Sequence, residues 1–120
     1  MNIGSANLEQ SVFQTNSEHF SQSDLSNFQG RYGLTMQAAQ APYGFETTTT
    51  QCSTNGGTPS CSEGNLDTQY IMGVAQNVAT IYWYVASTNP FVSWITSVAN
   101  DANPPQSNSI SWGSVEQVNT

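Results

Sequence analysis

Val78-Ala79-Thr80-Ile81-Tyr82-Trp83-Tyr84-Val85 is β-branched or aromatic at every position but Ala79. A run of this kind fits a strand buried on both faces. Asn89-Pro90 then makes a turn and places proline near the first position of a helix. Phe91, Trp94, Ile95, Val98 and Ala99 follow at i, i+3, i+4, i+7 and i+8, one amphipathic face. Asp101 to Pro105 closes that helix, and residues 107–112 read as a second strand ending at Gly113. Strand, helix and strand over 78–113 predict a βαβ unit with parallel strands and a right-handed crossover. The expected class is α/β, a parallel sheet with flanking helices. Ligands in such sheets gather beyond the carboxyl ends of the strands, where Trp112 and Gly113 would lie.

Upstream, residues 21–33 read as a helix. Ser21-Gln22-Ser23-Asp24 is a capping box, Leu25, Phe28 and Tyr32 form an apolar stripe, and Gly33 suits a C-terminal cap. Before it the chain is polar, with Leu8, Val12 and Phe13 as isolated apolar positions and a short strand or extended arm at 10–14. Residues 35–61 form a long connection broken by Pro42, Gly44, threonines 47–50 and Gly56-Gly57-Thr58-Pro59, in which 45–48 suit a short strand. A third helix is expected over 60–76, with Leu66, Tyr70, Ile71, Val74 and Ala75 turned toward the sheet.

That helix carries the chemistry-bearing pair. Glu63 and Asp67 are four residues apart, which puts both carboxylates on one face. Like charges at this spacing weaken a helix by roughly 0.2–0.5 kcal/mol, in a chain with only eight acidic residues. Paired carboxylates push their pKa values apart, so one stays protonated where the other is ionised. One then takes a proton from a nucleophile while the other orients it, at an acid pH where a histidine base is already charged. The alternative is structural. Ser60-x-x-Glu63 is also a capping box, and Asp67 would then be a solvated acid near the positive end of the helix.

Composition narrows the partners. The 120 residues carry a net charge of −7, and Arg31 is the sole strong base. Nucleic acid and anionic membrane surfaces are disfavoured, because phosphate binding needs Lys and Arg. A Lys-free surface rich in Ser, Thr, Asn and Gln suits an acidic medium. Apolar residues make up 37%, enough for one small domain or part of a larger one. Cys52 and Cys61 flank a turn-forming loop and suit either a short local disulfide in an oxidising compartment or two free thiols. With His19 they make a poor zinc site, and no metal is expected. Met1–Asn7 has neither the basic start nor the apolar core of a signal peptide, and no run approaches a transmembrane span.

Glu63-Gly64-Asn65-Leu66-Asp67-Thr68-Gln69-Tyr70-Ile71-Met72 resembles the E-x-x-L-D-x-Q-Y-I/L-M segment of the sedolisins, the serine-carboxyl peptidases that include tripeptidyl-peptidases. Phe20-Ser21-Gln22-Ser23-Asp24-Leu25 with Phe28 and Gly33-Leu34 is similar to the family's F-S-x-x-D-L-x-x-F…G-L segment. Asn103-Pro104-Pro105 with Ser109-Ile110-Ser111-Trp112-Gly113 and Glu116 is similar to its N-P-P…S-I-S-x-G-x-x-E segment. The resemblance implies a partial subtilisin-like fold and peptide-bond hydrolysis at acid pH through a Ser-Glu-Asp triad. In that triad Glu63 would be the general base and Asp67 its partner. It implies further that Ser111, Trp112 and Gly113 line the groove where a peptide or protein substrate pairs with the strand end. Trp112 as an ordinary strand-end aromatic and Gly113 as a turn glycine are the structural alternatives.

The family's nucleophilic serine lies in an S-G-T-S-type motif, which Gly57-Thr58-Pro59-Ser60 does not match. Residues 1–120 are therefore expected to be an N-terminal portion of such a catalytic domain, inactive alone and lacking its C-terminal part. By resemblance, calcium belongs to the full-length enzyme, at a site beyond this chain, and no cofactor is expected here. The parent enzyme would be extracellular, lysosomal or vacuolar. The other reading is a non-catalytic remnant that binds peptide or protein through an exposed sheet edge.

Overall fold

The computed structural model describes residues 7–48, 50, 52 and 61–114. The architecture is α/β: a three-stranded parallel sheet flanked by helices. Strand β1 (Glu9–Gln14) is the centre. On one side it pairs in parallel with β4 (Ala79–Tyr84), Glu9 opposite Ala79 and Gln14 opposite Tyr84. On the other it pairs in parallel with β5 (Ser107–Ile110), Gln10 opposite Ser107 and Phe13 opposite Ile110. Strands β4 and β5 thus share one parallel sheet, with β1 between them. A two-residue parallel pair, β2 (Phe20–Ser21) with β3 (Glu46–Thr47), stands apart.

The segment that reads as a short strand or extended arm is a strand, and it is the central one. Its sequence, Glu-Gln-Ser-Val-Phe-Gln, has two apolar residues, yet from Gln10 onward every position is buried. The polar ones are paired across the ladder. Gln10 Nε2 donates to Thr80 Oγ1 (3.0 Å), and Ser11 Oγ donates to Asn108 Oδ1. Such pairing is what lets buried polar side chains stay in a core. Val12 joins Phe20, Leu25, Ala39, Met72, Tyr82 and Tyr84 on one face of the sheet. Phe13 joins Trp83 and Trp94 on the other.

Helix α1 (Gln22–Arg31) is capped at both ends as its sequence dictates. Ser21 Oγ accepts from Asp24 N (3.2 Å). Gly33, at φ +63°, closes the C-terminus, with Gly33 N donating to Gly30 O and Leu34 N to Gln29 O. The expected Leu25–Phe28–Tyr32 stripe needs correction. Leu25 is buried, but Tyr32 is exposed and Gln29 is buried in its place. The Gln29 amide holds the returning chain at Gln37, donating to its carbonyl and accepting from its N–H.

Helix α2 (Ser62–Val74) seats on a different face from the one its apolar residues suggest. Gly64, Thr68 and Met72 are buried, whereas Leu66, Tyr70 and Val74 are exposed. The reason is the closeness of approach. A Cβ on Gly64 would stand 2.1 Å from the His19 carbonyl oxygen and 2.7 Å from the Tyr82 hydroxyl. No side chain fits at Gly64, which lets the helix start sit directly on that carbonyl. The helix begins after Cys61, which makes no side-chain cap. Ser60, and with it the expected capping box, lies outside the described residues, as do 53–59. Cys52 and Cys61 are joined by a disulfide with a Cα–Cα distance of 5.6 Å.

Helix α3 (Pro90–Asn100) covers the Phe13–Trp83 face mainly through Trp94, and Phe91 lies 5.3 Å from Phe13 ring to ring. Val98 packs against the same cluster, but the remaining apolar positions are only partly covered. Phe91, Val92 and Ile95 are each about half exposed. At the sheet's edges, Gln40 forms an isolated parallel bridge to β4, accepting from Tyr82 N and donating to Thr80 O, each 2.8 Å. Among the described residues no strand pairs with the outer edge of β5. None of the described helices is long and apolar enough to cross a membrane.

Candidate active site

Three elements meet at the carboxyl ends of the strands. Gln14 ends β1, Ser111 and Trp112 follow β5, and α2 lays its first two turns across them. Asp67 is the hub. Its Oδ2 accepts from Gln14 Nε2 (2.8 Å), and its Oδ1 accepts from Ser111 Oγ (3.1 Å). Gln14 Oε1 in turn accepts from the Trp112 indole N–H (3.1 Å). Indole nitrogen only donates, so the orientation of the Gln14 amide is fixed and its NH₂ must face Asp67. Strand β5 ends at Ile110, opposite Phe13 and two residues sooner than its pattern suggests. Past that point, side chains take over from backbone pairing.

Glu63 sits one helical turn before Asp67 and shares a hydrogen bond with it. Partial burial, then the negative charge of Glu63, then that shared hydrogen bond push the Asp67 carboxyl from 3.8 up to about 6. The hydrogen bonds from Ser111 and Gln14 pull the other way. Two carboxylates this close cannot both be ionised cheaply, so the pair retains a proton well above the usual carboxylate range. Two carboxyl groups one helical turn apart, with Asp67 held protonated to a higher pH than usual, are an arrangement suited to general acid–base work.

The backbone of α2 is held just as closely as its side chains. Glu18 Oε1 accepts from both Glu63 N and Gly64 N, at 2.9 Å each. Asn65 Oδ1 accepts from Ser21 N, and Asn65 Nδ2 donates to Asp24 Oδ2, each 2.9 Å. The Tyr82 hydroxyl donates to Glu18 O (2.7 Å).

The structure thus brings Glu63, Asp67, Ser111 and Trp112 into one network. Gly113 stays outside it, exposed and with open space around it. Two members, Gln14 and Glu18, are not apparent from sequence. Gln14 has the look of an ordinary polar strand end, and Glu18 of a loop acid. A usable signal was present for the first, since a polar residue closing the Val12-Phe13 run needs a buried partner. Among the described residues no group of three His, Cys, Asp or Glu side chains is placed to hold a metal ion.

Comparison with known proteins adds one relation. The chain is 33% identical over 113 residues to tripeptidyl-peptidase 1 of Dictyostelium discoideum, an alignment that takes in 89% of this chain. The chain spans about 17% of the length of that relative. No family model matches the chain, and no solved structure does.

Proposed function

We propose that this chain carries the carboxylate half of a serine-carboxyl peptidase of the sedolisin type. Glu63 is the general base, and Asp67 orients it and shares its proton. The observation that carries this reading is the Glu63–Asp67 pair itself: two carboxyl groups one helical turn apart, with Asp67 bonded to Gln14 and Ser111 at the carboxyl ends of parallel strands, in a chain similar to a tripeptidyl-peptidase. The reaction is peptide-bond hydrolysis through an acyl-enzyme. Attack by a serine hydroxyl on the peptide carbonyl forms the ester and expels the amine. Water then releases the acid and restores the hydroxyl. Glu63 receives the hydroxyl proton in the first step and returns it to the leaving amine. The nucleophile and oxyanion donors come from a segment matching the part of the relative that this chain does not span. The subtilisin-like fold of the whole, a calcium site in that other part and a secreted or lysosomal setting belong to the same proposal.

Ser111, Trp112 and Gly113 then border the substrate. An extended peptide would pair along this strand end, with Gly113 leaving its path open. A second reading rests on the outer edge of β5, which no strand pairs with among the described residues: a chain that binds extended peptides without cleaving them.

The test is a chimera in which this chain replaces the aligned segment of the Dictyostelium relative. It should release tripeptides at about pH 4, near the ordinary carboxylate range. Glu63→Gln should lower kcat by about 100-fold or more. A Glu63→Gln chimera that retains nearly the full rate would contradict the assignment. Peptide binding by the isolated chain, with a chimera that folds but never turns over, would favour the second reading.

A further inference from the structure

We propose that Glu18 is a positioning residue. Its carboxylate pins the first turn of α2 and so determines where Glu63 and Asp67 stand against Gln14 and Ser111. This rests on reading Glu63 and Asp67 as the working pair, but its test does not need turnover.

A helix start leaves its first N–H groups without partners. Here the helix's own N-cap, Cys61, supplies no side-chain acceptor. Glu18 reaches in from another part of the chain, and one of its oxygens takes two of those N–H groups, including that of Glu63 itself. The bonds are charge-assisted and lie where the helix dipole favours an anion. Glu18 is in turn fixed from behind. Asn16 and Ser17, at φ 55° and 61°, turn the chain sharply off β1, and Glu18 N donates to Thr15 O. The Ser17 N–H donates to the Tyr84 hydroxyl, and the Tyr82 hydroxyl donates to the Glu18 carbonyl.

The path from pin to pair is short. Glu18 is four residues past Gln14, so one rigid turn carries both the donor to Asp67 and the cap for Glu63. Gly64, the second residue capped, rests directly on the His19 carbonyl, where no Cβ fits. A shift of the helix start away from Glu18 would move Glu63 and loosen its contact with Asp67. The other titratable groups around this turn are His19 beside it, Asp24 on α1, and Tyr82 and Tyr84 on β4. Burial and the charge of Glu18 hold the Tyr82 phenol in its protonated form. Asn65, tied to Ser21 and Asp24, is an independent tether for the same turn.

The experiment is NMR on the chain as it stands. In the wild type the Glu63 and Gly64 amide protons should shift with the same midpoint as the Glu18 carboxyl carbon. Glu18→Ala should lower the Asp67 midpoint from about 6 toward 3.8, as the pair parts and is hydrated. Glu18→Gln should restore a midpoint near that of the wild type, because an amide oxygen still accepts both N–H groups. A role in general stability alone would not move Asp67 in a chain that remains folded. Amides indifferent to the Glu18 titration would overturn the proposal. So would a folded Glu18→Ala chain in which Asp67 titrates as before. If Glu18→Ala does not fold, the wild-type titration decides. A chimera without peptidase activity, alongside these shifts, would remove the peptidase reading and leave the positioning role standing.

Discussion

The two flanks of the sheet are finished to different degrees. On the α2 flank, long polar side chains tie the elements together: Gln14 to Asp67 and Trp112, Glu18 to the start of α2, Asn65 to Ser21 and Asp24, although the buried Thr68 hydroxyl and His19 Nδ1 find no hydrogen-bond partner among the described residues. On the α3 flank, Val92 and Ile95 are half exposed, Phe91 is only half covered where it meets Phe13, and β5 has an edge without a partner strand among the described residues. The first flank is built by directional bonds and close approach, where one atom decides the fit. The second is held mainly by apolar contact, Trp94 and Phe91 on Phe13 with Val98 beside them. Small changes should therefore be costly on the first and mild on the second.

The widest contrast is between two glycines. Gly64→Ala would drive a methyl group into the His19 carbonyl and should cost about 3 kcal/mol, the upper part of the range for overpacking. Gly113→Ala meets nothing within 4 Å and should stay within about 0.5 kcal/mol of wild type, as exposed substitutions do. Urea melts of both variants check this. Equal losses would erase the distinction between the flanks.

Next comes Tyr82→Phe. It removes the donor to the Glu18 carbonyl and should cost about 1 kcal/mol, the net worth of a hydrogen bond. On the other flank, Ile95→Ser should change stability by no more than about 0.5 kcal/mol, since that side chain is half exposed already. Thermal melts at matched pH would show which flank is the more sensitive.

The smallest effect is a slope with pH. The Asp67 midpoint of about 6 lies above its ordinary 3.8, so the folded chain binds that proton more tightly than the unfolded chain. Its stabilisation is complete below about pH 4 and fades as pH rises through about 6. Partial exposure of the group screens the effect. Asp67→Asn should flatten this part of the stability profile, measured by denaturant melts between those limits. An unchanged slope would place its origin elsewhere.

The same contrast explains what could be read in the sequence. The β4–α3–β5 succession was legible because Val78–Val85 and the Phe91–Ala99 face are apolar patterns, and apolar patterns report on class. The capping of α1 by Ser21 and Gly33 was legible because each cap is made within a few residues. The position of β1 was not, because its burial depends on Thr80 and Asn108, each roughly 70 to 100 residues away along the chain. The buried face of α2 was misread for a related reason. The choice between Leu66–Tyr70–Val74 and Gly64–Thr68–Met72 is made by a carbonyl at His19 that no helical periodicity reveals. Within the site, Glu63 and Asp67 stand out as charges in a chain poor in charge, whereas Gln14 and Glu18 act through partners supplied by other elements.

The central claim is that Glu63 and Asp67 act as one proton-sharing pair. Carboxyl-carbon NMR of Asp67 in the wild type and in Glu63→Gln tests it most directly. The account predicts a wild-type midpoint near 6 that falls clearly toward the ordinary value once the charge of Glu63 is removed. A midpoint near 3.8 in both chains would mean two independent carboxylates on a helix face, and the case for a catalytic dyad would fail.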